Sequence, residues 1–258
     1  MSLLRSMKLF ISSPDVGRFN KNMELLEKYG CKYVLYSYYN LRKKEILKFF
    51  NIKAEVFLDS GAHTLQKPGK DVDWDMFLYE YIAFINKYKK YIDYIVELDV
   101  ENKTGLKWVE KARKEIEDQT GIQPIIVWHR ERGWDYYLNM CENYKYVGFS
   151  GFVEDQTGQP EVPDRFIPLF VKTAHDRGAK IHAFGYTRSD LCQYKFDSAD
   201  SSSWASGVRY ARLVKFEKDR MKSYKDVKGF ALQSYDKVIE WNVREWVKYQ
   251  EFLDNRIS

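Results

Sequence analysis

Eight times along this chain a short apolar run alternates with a polar or amphipathic stretch, and that alternation constrains the fold more than any other feature. The runs fall at 8–13, 33–38, 55–60, 94–100, 124–130, 146–151, 180–186 and 196–201. Several are almost continuously apolar, as parallel strands covered on both faces must be. Between them lie stretches of helical period. In 74–88, Trp74, Phe77, Leu78, Tyr81, Ile82, Ile85 and Tyr88 share one helix face. Phe166, Leu169, Phe170, Val171 and Ala174 mark another helix, entered through Pro163 and ended near Gly178. A strand–helix alternation of this length predicts an α/β fold, a closed (β/α)8 TIM barrel. The 258 residues are read as one domain, with the barrel over 8–207 and a helical C-terminal extension over 208–258. An open doubly wound sheet is the rival, but no GxGxxG follows the first strand.

The formal net charge of +5 permits a polyanionic partner without requiring one. Cys31, Cys141 and Cys192 are odd in number and widely spaced. That argues against a disulfide framework or a CxxC metal site and fits a reducing cytoplasm. No apolar run approaches the roughly 20 residues of a membrane span, so no membrane partner is expected. No secretory leader is expected either, because Arg5 leads straight into the first strand. The sequence leaves room for a homo-oligomer.

In such a barrel, chemistry collects at the C-terminal ends of the strands. The third run ends Asp59-Ser60-Gly61-Ala62-His63, the fourth at Asp99 and the fifth at Trp128-His129. The sixth ends Gly148-Phe149-Ser150-Gly151, the seventh His182-Ala183-Phe184-Gly185, and the eighth Asp197-Ser198-Ala199-Asp200. Taken singly, an Asp here can cap a turn, a His can be a satisfied core residue, and a Gly can serve a bend. Their joint occurrence at one end points to a site. Asp197 and Asp200 compete for the nucleophile's place. Three residues apart on a regular strand, they point to opposite faces, and Asp200 lies nearer the mouth.

These motifs resemble those of tRNA-guanine transglycosylases. Phe57-Leu58-Asp59-Ser60-Gly61-Ala62, with Gln66 following, resembles that family's Asp-Ser-Gly-Gly-Phe-Gln motif. The segments 147–151, 181–185 and 196–200 are similar to its two glycine-bearing strands and its nucleophile strand, in the same order. The resemblance covers about 150 residues of the chain. It implies an α/β barrel that exchanges guanine for a 7-deazaguanine through a covalent glycosyl-aspartate. By the same resemblance Asp200 is the nucleophile, Asp59 handles protons and contacts the base, and Asp99 accepts the base's N1 and 2-amino donors. Trp128 or His129 falls where the family has a base-contacting glutamine. Ser60, Gly61, Gly148, Gly151, His182 and Gly185 complete the implied base pocket. The family's zinc-binding Cys/His cluster has no counterpart, Ala62 replaces its second glycine, and Ser201-Ser202-Ser203-Trp204 replaces its usual post-nucleophile loop. The resemblance is therefore to the short, zinc-free, DNA-modifying relatives of phages and bacteria. No metal or other cofactor is implied. The implied partners are a purine or 7-deazapurine base and a nucleic acid, either DNA or tRNA.

The residue types suit that chemistry. Cleaving an N-glycosidic bond passes through an oxocarbenium-like state that one carboxylate can trap while a second exchanges a proton with the base. The basic run with Arg209, Arg212 and Lys215, beside Trp204, is a weaker candidate for nucleic-acid contact. Two other classes compete. Asp59, His63, Asp99, His129, His182 and Asp200 could ligate metal in a barrel hydrolase. A barrel that binds nucleic acid without catalysis is the third reading.

Overall fold

The computed structural model describes residues 6–44, 53–66, 71–152, 162–186, 188–205, 212–225 and 235–255. Its eight parallel strands are β1 Lys8–Ser12, β2 Tyr33–Ser37, β3 Glu55–Asp59, β4 Tyr94–Ile95, β5 Ile126–Trp128, β6 Tyr146–Phe149, β7 Lys180–Ala183 and β8 Ser198–Ser201. They are hydrogen-bonded in the order β4-β3-β2-β1-β8-β7-β6-β5. The ring closes between β4 and β5. Ile125 N–H donates to Ile95 O at 2.8 Å, and Glu97 N–H donates to Ile125 O at 3.0 Å. The chain is an α/β TIM barrel.

Side-chain alternation divides the molecule into two apolar layers. Phe10, Leu35, Phe57, Val96, Ile125 and Val127 fill the barrel interior. The intervening residues, among them Leu9, Val34, Val56, Ile95, Ile126 and Val147, pack against the helices. At the N-terminal end of the barrel, Lys8 Nζ reaches Glu55 Oε2 at 2.7 Å and Tyr94 OH at 3.2 Å, so a satisfied ion pair closes that end.

The helices are α1 Phe19–Lys28, the short α2 Tyr38–Leu41 and α3 Ala62–Leu65, α4 Trp74–Tyr88, the short α5 Glu101–Thr104, α6 Leu106–Thr120, α7 Gly133–Asn143, α8 Ile167–Asp176 and α9 Tyr235–Asp254. Helix α4 starts where Asp73 caps the Met76 N–H. Phe166, just before α8, and Leu169 within it stay 40% and 48% exposed, so the buried face is narrower than the apolar pattern suggests.

Past the barrel the expected C-terminal helix is present, and a feature the sequence did not announce comes before it. A two-stranded antiparallel hairpin, β9 Arg212–Glu217 and β10 Arg220–Lys225, precedes α9. Val214 N–H donates to Asn242 Oδ1 and Trp241 Nε1 donates to Val214 O, which ties the hairpin to α9. Helix α9 in turn covers the barrel wall at β1 and β2. Gln250 Nε2 donates to Leu9 O at 2.7 Å and to Tyr33 O at 3.0 Å. Trp204, expected at a nucleic-acid surface, is buried instead. Its indole N–H donates to Ser12 O at 2.8 Å, so it packs the extension to the barrel. Arg212 and Lys215 are exposed on the hairpin, where Lys215 pairs with Glu217 at 3.0 Å. Arg209 lies outside the described residues.

Candidate active site

Asp59 ends β3, and the turn that follows requires glycine. Gly61 sits at φ +73°, and a Cβ there would come within 2.2 Å of Ser37 Oγ and 2.6 Å of the Tyr39 Cβ. The turn is closed by Ser60, buried, whose Oγ accepts from Ala62 N–H at 3.3 Å. On the neighbouring segment the alternation breaks. Val96 faces the interior and Glu97 the helix layer, so a regular strand would turn Asp99 outward. A tight turn, with Val100 N–H donating to Leu98 O at 3.0 Å, returns Asp99 to the cavity. Gln66, from the end of α3, fixes the same turn by donating to Asp99 O at 2.8 Å.

A cavity of about 500 Å³ opens at this end of the barrel, lined by Asp59, Asp99, His129, Ser150, Phe184 and Gly185, with Val96 and Val127 also lining it. His63, Glu101 and Glu131 are among its other lining residues. His129 Nε2 lies 3.3 Å from Asp99 Oδ2. Burial works against charge on this imidazole, but the hydrogen bond and negative charge of Asp99 outweigh it and raise its pKa. Asp200 accepts the Gly185 N–H at 2.7 Å, and 12% of its side chain stays exposed. Gly185 adopts φ +64°, which lets its N–H turn toward that carboxylate.

Burial and the two neighbouring carboxylates, Asp99 and Asp200, push the Asp59 pKa up to about 8, against one favourable N–H from Gly61. Asp59 is therefore protonated at neutral pH while it faces the cavity. The unfolded chain loses this proton near the ordinary 3.8 and the folded chain only near 8. Between those values the folded state holds the extra proton, so stability falls as pH rises across the window. Asp59→Asn removes that slope. Thermal melts should show the variant above wild type at pH 8, with the gap closing toward pH 4. Parallel Tm–pH curves would contradict the assignment.

Behind the cavity wall lies a fully buried ion network. Glu97 accepts from Arg113 Nε at 2.7 Å, from an Arg132 guanidinium nitrogen at 2.8 Å and from Val127 N–H at 2.7 Å. Arg132 also grips Glu101 at 2.7 Å, which fixes the rim next to His129.

Several expected site residues lie elsewhere. Trp128 faces the helix layer, stacked on Phe149 at 5.5 Å and 3°, with its indole N–H on Gly133 O; parity puts His129 inward and Trp128 outward. Gly148 and Gly151 make room for the protein's own side chains. A Cβ at 148 would strike the Phe184 ring at 2.3 Å, and one at 151 the Phe149 ring at 2.5 Å. His182 is fully buried under Phe184 and does not line the cavity. Asp197 lies outside the barrel. Its carboxylate takes the Ile181 N–H at 2.8 Å and meets His175 of α8 at 2.9 Å. From sequence, Phe184 and Ser150 stand within the strand-end motifs without a role of their own, and neither Glu101 nor the Glu97 network is singled out. Parity marks Phe184 and Ser150, two residues past the interior positions His182 and Gly148. The network joins segments far apart in sequence and leaves no local signal.

No family model matches the chain, and no curated protein matches it. Among solved structures, a chain assigned as a fructose-1,6-biphosphate aldolase from Coccidioides immitis superposes with a TM-score of 0.56 at 6% identity, covering 98% of this chain and 91% of that one. At that identity the likeness speaks to the barrel fold alone.

Proposed function

We propose that this protein is a base-exchanging transglycosylase that replaces guanine in a nucleic acid with a 7-deazaguanine. What supports the reading is that Asp59 and Asp99 line one cavity, and that Asp200, which does not itself line it, is near enough to help raise the Asp59 pKa and favour the protonated acid. An oxygen of Asp200 bonds to the sugar C1′ as the C1′–N9 bond breaks. The departing base takes a proton from Asp59, which is left as the carboxylate. Asp59 then accepts a proton from the incoming base, whose N9 displaces Asp200 and restores the starting enzyme. Asp99 accepts the N1–H and 2-amino donors of the purine edge, and His129 orients it. A base in a duplex must first be flipped out of the stack.

The cavity's chemistry favours a neutral, donor-rich heterocycle. Among the described residues, none that lines the cavity is Lys or Arg. A metal-dependent hydrolase is less well supported. Among the described residues no three His, Cys, Asp or Glu side chains gather as a metal ion would require. Binding without catalysis would not call for a neutral Asp59 between two other carboxylates.

Incubating the protein with labelled guanine or a labelled 7-deazaguanine and either tRNA or DNA tests the proposal. Label entering one polymer is the expected result; label entering neither removes it. Within the same assay, Asp99→Asn turns one acceptor oxygen into a donor facing the purine edge. Base affinity should fall by about 1–3 kcal/mol with the fold retained. Calorimetric titration that shows unchanged base binding would take Asp99 out of the site.

A further inference from the structure

Under the cavity floor runs a file of polar side chains that the exchange chemistry above does not use. His182, fully buried on β7, is boxed by the rings of Phe57 at 4.7 Å and Phe184 at 4.4 Å. Its Nδ1 is hydrogen-bonded to Ser198 Oγ, and Ser198 Oγ is hydrogen-bonded to Tyr146 OH. Its Nε2 is buried without a hydrogen-bond partner, and Asp200 Oδ1 lies 3.4 Å away, off hydrogen-bond alignment.

The direction of this file follows from the donors available. A neutral imidazole has one N–H and one lone pair. With the proton on Nδ1, the Nε2 lone pair would face a carboxylate oxygen in an apolar box, which is repulsive. With the proton on Nε2, Nδ1 accepts from the Ser198 hydroxyl. Ser198 then accepts from Tyr146, a phenol that burial holds protonated. Every donor in the file then points toward Asp200.

We propose that His182 is a positioning residue for Asp200, an inference that rests on the transglycosylase reading above. Tyr146 and Ser198 hold the ring in the Nε2–H tautomer, and that N–H closes on Asp200 Oδ1 in the reacting complex. The Gly185 N–H already addresses the same oxygen. With both donors on Oδ1, Oδ2 is the oxygen that meets the sugar carbon.

Two measurements on the full chain test this. Nitrogen-15 NMR of histidine-labelled protein should show a proton on His182 Nε2, and Ser198→Ala should admit the form protonated at Nδ1 alone. In the exchange assay, His182→Leu should lower kcat roughly 10- to 100-fold, the range of one hydrogen bond to a charged group, while KM for the base stays within about twofold. His182→Gln, whose amide can donate, should recover part of that loss at equal Tm. A purely structural role would instead move Tm in both variants without that recovery. A ring protonated at Nδ1 alone in the wild type, or a folded His182→Leu protein with wild-type kcat, overturns the assignment. If the wild type exchanges no base, the transglycosylase reading fails, and the ring tautomer and its response to Ser198→Ala alone uphold or overturn the donor file.

Discussion

Asp200→Asn should abolish base exchange and leave a folded protein. The amide keeps the shape that accepts the Gly185 N–H at 2.7 Å, so the loop 184–186 stays in place. It is a far weaker nucleophile toward C1′, so no glycosyl ester forms. Loss of a covalent nucleophile costs several orders of magnitude, about 10⁴-fold or more. Asp197→Asn gives the opposite pattern. Its carboxylate serves Ile181 N–H and His175 outside the barrel, so exchange persists and Tm falls. Steady-state exchange and thermal melts on both variants separate the two. Normal turnover by Asp200→Asn together with a dead but folded Asp197→Asn would move the nucleophile to Asp197.

The largest stability loss should come from Glu97. This carboxylate is fully buried, and its two partners, Arg113 and Arg132, have side chains 6% and 1% exposed. In Glu97→Ala, Arg113 loses its only carboxylate in the network, Arg132 keeps Glu101 alone, and Val127 N–H loses its acceptor. Removing one partner of a buried ion pair costs about 3–5 kcal/mol, because the remaining charges are left without compensation in a dry site. For a chain of this size that is roughly 6–20 °C in Tm. Because Arg132 also holds Glu101 at the rim, base affinity should fall with it. A calorimetric Tm within a degree of wild type would show that the network contributes little to the fold.

The eight strands are legible in the sequence because parallel strands buried on both faces must run apolar. The odd separation of Asp197 and Asp200 is enough to send them to opposite faces, and the same parity separates Trp128 from His129. What escapes is set by contacts distant in sequence. Asp99 faces inward through the turn at 98–100, which breaks the alternation without Gly or Pro to mark it. The hairpin turns through Lys218 at φ +60° with no Asn-Gly or Asp-Gly signal, so 212–225 reads as a basic run. Trp204 beside that run has the composition of a nucleic-acid contact, and only the distant Ser12 carbonyl reveals a packing role. The glycines at 148 and 151 resemble ones that admit a flat base, yet Phe184 and Phe149 occupy the space they leave.

A base-exchanging mechanism of this kind should pass through a covalent bond between Asp200 and a nucleic-acid sugar. Incubating wild-type protein with its polymer substrate, quenching with denaturant and mapping the cross-linked peptide by mass spectrometry tests it directly. The expected result is a denaturant-stable protein–polymer adduct whose sugar is attached to Asp200, absent from Asp200→Asn and discharged by added free base. Base exchange proceeding in the wild type with no adduct, or with the sugar on another residue, would contradict it.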